Sequence, residues 1–179
     1  GIARTRAIVA RFDTPEQAVD YFESRDHDNE SAIDRYGRAV AYQRAGHYFD
    51  ALPLFEDLLD RDKSVIAYHI GLGQTLVALD QWSDAVDVFE RALALFPRNV
   101  PLVIEYGERL LELKQPEKAH ALLLDLLNTV PPTPAQVRLI ARAASLAGEE
   151  AEAYYYLSEY RLMIGDLEGG IGYLQQALR

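Results

Sequence analysis

The sequence predicts an all-α chain, a solenoid of antiparallel helix pairs with about ten helices, superhelical with a concave groove. Three observations predict it. Ala51, Ala85, Ala119 and Ala153 recur every 34 residues, each followed four places later by a large apolar residue, Phe55, Phe89, Leu123 or Leu157. Small residues at Ala39, Gly73, Gly107 and Ala141 keep the same period. Turn formers at Gly46, Asp80, Pro97, Gln115-Pro116, Pro131-Pro132, Gly148 and Gly165 interrupt the chain about every 17 residues, leaving helix-length segments and no strands. A fixed period in this range marks stacked units that cannot bury an apolar face alone. Such arrays present extended binding surfaces rather than catalytic pockets.

In chain order, residues 1–30 read as an irregular leading helix pair and loop. Ala3 to Phe12 is a short basic and apolar helix; Thr14 caps a second, with Pro15 at its first helical position. Ala18 and Phe22 carry the repeat chemistry into this pair, and Asp26 to Glu30 form a polar loop. Residues 31–179 form the solenoid, with repeats at about 32–65, 66–99, 100–133 and 134–167 and a terminal helix to 179. Between the third and fourth repeats, Pro131, Pro132 and Pro134 cannot sit inside a helix and force a stiff extended crossing, after which Thr133 caps the next helix. That helix boundary favours a structural role over a proline-rich ligand motif. The terminal helix carries Gly169, Gly170 and Gly172. Each costs about 1 kcal/mol relative to alanine, so this helix is weak by itself. Its stripe of Ile171, Leu174 and Leu178 has no polar capping helix after it, and a further segment or partner is expected to pack there. The opening Gly-Ile-Ala-Arg, without methionine, reads as the interior of a longer chain.

Leu72, Gly73, Leu76, Ala85, Phe89, Ala92 and Pro97 fall in the order of the tetratricopeptide repeat, which the chain therefore resembles. Ala39, Tyr42, Gly46, Ala51 and Phe55 match one period earlier, and Gly107, Leu110, Ala119, Leu123 and Pro131 one period later. The usual tryptophan is replaced by Arg35, His69, Val103 and Val137. In this register the first helix of each pair lines the groove. The candidate partner-binding residues are Tyr36, Arg44, Ile70, Gln74, Glu108, Arg138, Arg142, Tyr155 and Glu159. The carboxylate clamp of chaperone-binding repeats needs Lys or Arg with Asn where Tyr36, Val40, Ile70 and Gln74 stand, so a chaperone tail is a poor fit. A groove apolar in its first half and charged toward its end suits a protein partner or an unfolded chain.

Residues Ala121 to Arg138, with the run Leu-Leu-Leu-Asp-Leu-Leu-Asn-Thr-Val-Pro-Pro-Thr-Pro, and Ala153 to Tyr160 with Gly165-Asp166-Leu167, carry a second resemblance. They are similar to the C-terminal repeat domain of the periplasmic β-barrel assembly-enhancing proteases. That family joins a zinc metallopeptidase domain of the His-Glu-x-x-His type to a tetratricopeptide domain. The resemblance implies a periplasmic docking domain. Its partners would be the outer-membrane assembly machinery, unfolded or stalled outer-membrane substrates, and its own protease domain. The alternative is a repeat scaffold of an envelope assembly or secretion complex with no attached protease. His27, His47, His69 and His120 are the only histidines, and none begins His-Glu-x-x-His. Zinc is therefore expected only in the absent peptidase domain, and this chain is expected to hold no catalytic residue, metal or cofactor.

Composition narrows the classes further. A net charge of -10 argues against nucleic acid, whose affinity rests on neutralising phosphates with Lys and Arg. No cysteine is present, which removes disulfides and thiolate chemistry, and no apolar run is long enough to span a membrane. His69 reads as a packed histidine, and Gly71-Leu72-Gly73 as close helix packing rather than a phosphate turn. His27-Asp28-Asn29-Glu30 has Ser31 and Gly37 where a calcium loop needs glycine and glutamate, and reads as a solvated loop. Of Tyr154, Tyr155, Tyr156 and Tyr160, successive ones point about 100° apart, so at least one faces the groove or solvent. The register points Tyr154 and Leu157 inward. Arg138 and Arg142, one turn apart, are expected either to pair with Glu149, Glu152 or Glu159 or to receive an acidic or carbonyl-rich partner segment.

Overall fold

A computed structural model describes residues 1–25, 27 and 30–179. The expected polar loop and the sequence compared with a calcium loop fall partly outside those residues. Among the described residues there are eleven helices and no strands, one helix more than the period led us to expect. They are α1 (Ile2–Val9), α2 (Pro15–Glu23), α3 (Ala32–Arg44), α4 (Tyr48–Arg61), α5 (Ile66–Ala78) and α6 (Trp82–Leu95), followed by α7 (Val100–Glu112), α8 (Pro116–Leu127), α9 (Pro134–Leu146), α10 (Glu150–Met163) and α11 (Leu167–Ala177). The chain divides into two compact units, Gly1–Phe96 with α1 to α6 and Pro97–Arg179 with α7 to α11. Within each unit, consecutive helices pack on one another from α2 onward, and α1 packs on α3.

Local chemistry sets the helix starts. Thr14 accepts from the Gln17 amide, Ser31 from Asp34, Asn99 from Leu102 and Thr133 from Gln136, each satisfying an amide that has no partner inside its helix. At Thr133 the Gln136 side chain also reaches back to the Thr133 amide, completing a capping box. α1 ends at Val9, three residues short of the expected Phe12.

The turn inside each pair repeats as faithfully as the core. Gly46, Asp80, Lys114 and Gly148, each 34 residues apart, all have positive φ, at 77°, 58°, 56° and 83°. The amides of the residues that follow, His47, Gln81, Gln115 and Glu149, reach back to the carbonyls of Tyr42, Leu76, Leu110 and Ala144. This is the Schellman pattern, which closes a helix by a left-handed residue and satisfies its last carbonyls. Glycine takes that conformation freely, whereas Asp80 and Lys114 take it against a steric penalty of about 1–2 kcal/mol.

In the first unit, Phe55 and Phe89 are buried to 0 % and 1 % exposure, beside fully buried Ala51 and Ala92. Burying an aromatic of this size contributes about 1.5–3 kcal/mol. Each ring occupies space that a neighbouring helix leaves open: a Cβ on Gly71 would overlap Phe55, and one on Gly73 would overlap Phe89. Phe22 meets Gly37 in the same way, and α2 thereby joins the array although it lies off the 34-residue register. In the second unit the equivalent contact is looser, Leu123 standing 3.1 Å from where a Gly107 Cβ would be.

A buried ion network ties the start of α3. Glu30, whose side chain is only 3 % exposed, accepts from Arg35 at 3.1 Å and from Arg38 at 3.0 and 2.8 Å. Arg35 also bonds Asp57 on α4, as does Arg61 at 2.9 Å, and against the opposing effect of burial the two guanidiniums hold the Asp57 carboxyl below its usual range. Nearby, the Tyr42 hydroxyl donates to Glu23 Oε1 at 2.5 Å. Burial, then that hydrogen bond and the Glu23 charge, push the phenol up to about 12.

Two outcomes follow from this geometry. Lys114→Gly removes a left-handed lysine at an open turn and should raise stability by about 1 kcal/mol, read as a higher urea midpoint at unchanged m value; no gain would show that the turn is not strained. For Tyr42, the folded state favours the neutral phenol, so its contribution is intact below pH 10 and is lost as pH climbs toward 12. Tyrosine absorbance titration should show a late-ionising group that Tyr42→Phe removes, together with part of the alkaline loss of stability.

Candidate functional site

The nine residues assigned to the groove side meet very different environments. In the first unit, Tyr36 is fully buried, its ring against Phe55 and Tyr68 and its hydroxyl accepting from Arg6 Nε at 2.6 Å. Burial raises its pKa, with Arg6 opposing. Tyr36 is therefore core and not open to a partner, because the leading helix α1 lies over it, a contact that repeat register alone does not encode. Ile70 is likewise buried, at 7 % exposure. Arg44 stays exposed but spends one guanidinium nitrogen on the Val9 carbonyl at the end of α1. Gln74 is half-buried on α5. Beside it, Gln43 donates to the Gly71 carbonyl and to Thr75 Oγ1, both at 3.1 Å, so its amide serves the α3–α5 contact.

In the second unit the polar groups remain accessible. Glu108 on α7 stands 3.6 Å from Arg109, whose guanidinium also meets Glu105 at 3.3 Å and Glu112 at 2.9 Å. One arginine thus faces three carboxylates, leaving this stretch of α7 acidic. On α9, which touches α7, Arg138 and Arg142 are both exposed. The internal ion pairs considered for them are not formed among the described residues. Arg138 instead lies with its guanidinium 6.0 Å from the centre of the Tyr160 ring, a cation–π contact, and Glu152 is 2.9 Å from His120 Nε2. An acidic helix beside a basic one gives this unit a two-signed polar surface. Tyr155 on α10 is 47 % exposed and edge-on to Tyr156, while Glu159 is half-buried.

The inward face of α10 differs from the register reading. Tyr154 stacks on Tyr173 of α11 at 6.2 Å, but Leu157 is only half-buried, and Ser158 takes the buried position at 2 % exposure. On α11, Gly170 packs against the Leu162 side chain and the Ser158 backbone carbonyl, where a Cβ would stand 2.8 and 3.5 Å from them. A small residue is needed at that approach.

The remaining candidates have plain structural roles. His69 is buried, with Nε2 2.9 Å from the Lys63 carbonyl and its ring edge-on to Phe96. Among the described residues no group of three or more His, Cys, Asp or Glu could hold a metal ion, and no helix is long and apolar enough to cross a membrane.

Sequence reasoning missed one concavity. In the first unit, the second helices α4 and α6 flank α5 and enclose a pocket of about 580 Å³. Leu59, Leu72 and Val88 form its nearly buried floor, Ala94 and Leu95 its exposed lip. Glu56 and Asp60 rim the α4 wall; Arg91 stands on α6, with Lys63 on the turn between α4 and α5. The apolar pattern of any one helix cannot reveal this pocket, because its lining comes from three.

Comparison with known proteins agrees with this architecture. Tetratricopeptide repeat family models match residues 36–100 and 76–143. No curated protein sequence matches the chain. Among solved structures, a thermophilic tetratricopeptide repeat protein of Thermus thermophilus is 22% identical with a TM-score of 0.69, over 99% of this chain and 96% of that one. A tetratricopeptide repeat protein from Parabacteroides merdae is 16% identical with a TM-score of 0.66, over 92% of this chain and 65% of the other. YrrB, described as a repeat protein with an unusual peptide-binding site, is 21% identical with a TM-score of 0.58, over 90% and 92%. The two family matches together take in residues 36 to 143, the helices they span are the repeated pairs described above, and the chain belongs to the tetratricopeptide repeat proteins.

Proposed function

We propose that this chain is the protein-interaction and substrate-docking domain of a periplasmic zinc metallopeptidase and chaperone acting in outer-membrane β-barrel assembly and quality control. The tetratricopeptide fold is a non-catalytic, protein-binding fold, and the solved relative YrrB is itself described as having a peptide-binding site. The finer reading is supported by the resemblance carried by Ala121 to Arg138, Ala153 to Tyr160 and Gly165 to Leu167. In this reading zinc belongs to a peptidase domain elsewhere in the parent protein, and the chain's own residues bind.

One observation carries the docking site. Arg138 and Arg142 stand one turn apart and exposed, with no ion pair among the described residues, in a chain of net charge -10. Two like charges at that spacing disfavour a helix by about 0.2–0.5 kcal/mol. An acidic or carbonyl-rich partner segment would relieve that repulsion, with Tyr155 as an aromatic contact. The acidic stretch of α7 beside them would disfavour a uniformly acidic ligand, which selects a mixed polypeptide.

Binding of an unfolded outer-membrane β-barrel protein to the immobilised chain, compared with the Arg138→Glu/Arg142→Glu variant, tests this. A Kd raised at least about tenfold, or about 1.4 kcal/mol, with helicity and melting unchanged, is the expected result. Undiminished binding by the folded variant would remove the arginines from the site. Wild-type chain that binds envelope assembly factors but no unfolded barrel protein would shift the assignment to a scaffold without a protease.

A further inference from the structure

α11 carries a wide apolar arc, part packed and part exposed. Its inner side packs Gly170 against Leu162 and Tyr173 against Tyr154. Its outer side carries Leu167, Ile171, Leu174 and Leu178, which are 66 %, 55 %, 42 % and 83 % exposed and, spaced by four, three and four residues, share one helix face. Glu168, Gln175 and Gln176 fill the remaining arc, so α11 has a wide apolar surface of which only part is covered. The exposure is also concentrated: of thirteen exposed large hydrophobic residues among those described, nine lie from Leu146 onward. An apolar surface so localised marks an interaction site.

The chain itself carries a receptor of matching chemistry. The pocket between α4 and α6 has an apolar floor of Leu59, Leu72 and Val88 and a rim carrying both signs, Glu56 and Asp60 on α4, Lys63 on the turn after it and Arg91 on α6. The outer stripe of α11 is apolar between an anion at one end, Glu168, and a cation at the other, Arg179. These two charges are separated by about 16 Å along a helix. Both the apolar centre and the two-signed rim are complementary.

We propose that the outer face of α11 of one copy docks into the α4–α6 pocket of a second copy, with Ile171 and Leu174 on the apolar floor, Arg179 toward Glu56 and Asp60, and Glu168 toward Lys63 and Arg91. The contact joins unlike surfaces, so each copy keeps one free pocket and one free stripe. Such a heterologous interface does not pair off as a symmetric dimer; it closes into a ring or continues as an open series. Neither the stripe nor the pocket lining includes Arg138 or Arg142.

Sedimentation velocity on the full chain over a wide concentration range tests the proposal. The wild type should grow past dimer as concentration rises. Leu95→Glu, at the pocket lip, and Ile171→Glu/Leu178→Glu, on the stripe, should each weaken association at least about tenfold. Mixing the two variants is decisive, since one retains only a stripe and the other only a pocket: the mixture should form a one-to-one heterodimer and nothing larger. All three positions are more than half exposed, so the variants should keep wild-type circular dichroism and melting. If Leu95→Glu loses helicity, Ala94→Arg reads the same lip. A wild type that stays monomeric throughout overturns the proposal and leaves the stripe to another occupant. A dimer that survives both pocket variants overturns it equally, by showing that stripe meets stripe.

Discussion

The close approach of helices at glycine is the constraint on which the rest depends. Phe55 and Phe89 can occupy the core only because Gly71 and Gly73 present no side chain to them, and Phe22 depends on Gly37 in the same way. Any Cβ at these points would force two helices apart, exposing an aromatic and opening a void along the stack. Because the contact recurs each period, so do the helix pairs. The turn residues follow from it: two helices held this close need a tight reversal, which the Schellman pattern at Gly46, Asp80, Lys114 and Gly148 supplies.

Polar groups divide between holding this framework and serving as surface. Glu30, Arg35, Arg38 and Asp57 are consumed by one another, and Arg44 by the end of α1. Removing one member of so buried a network would leave charges uncompensated, an arrangement that costs more than the pair contributes. In the second unit the α9 arginines have no carboxylate partner among the described residues. A protein-binding repeat needs unspent polar groups of this kind, because a group already satisfied internally gains little from a partner.

The site was legible in the sequence only where it depends on a single helix. Arg138 and Arg142 could be placed together because four residues make one turn, and their exposure agrees with that spacing. Tyr36 and Ile70 share the same register logic yet are buried. For Tyr36 the cover is tertiary: α1 precedes the first repeat, does not obey the period, and still packs on α3. Leu157 is half-buried and Ser158 buried because α10 packs between α9 and α11, a placement the repeat register does not encode.

The sequence by itself determined the helix class, the 34-residue repeat, the core pairs Ala51 and Phe55, Ala85 and Phe89, and Ala119 and Leu123, the caps at Thr14 and Thr133, and the packing role of Gly71 and Gly73. These are local or strictly periodic features, fixed by spacing along one helix or by comparison of equal positions. Tertiary structure decided the rest: the Glu30 network, the burial of Tyr36, the cation–π contact of Arg138 with Tyr160, and the pocket whose lining is drawn from α4, α5 and α6. Each joins side chains from different helices, and the distance between them is set by how closely the helices pack rather than by their separation in the chain.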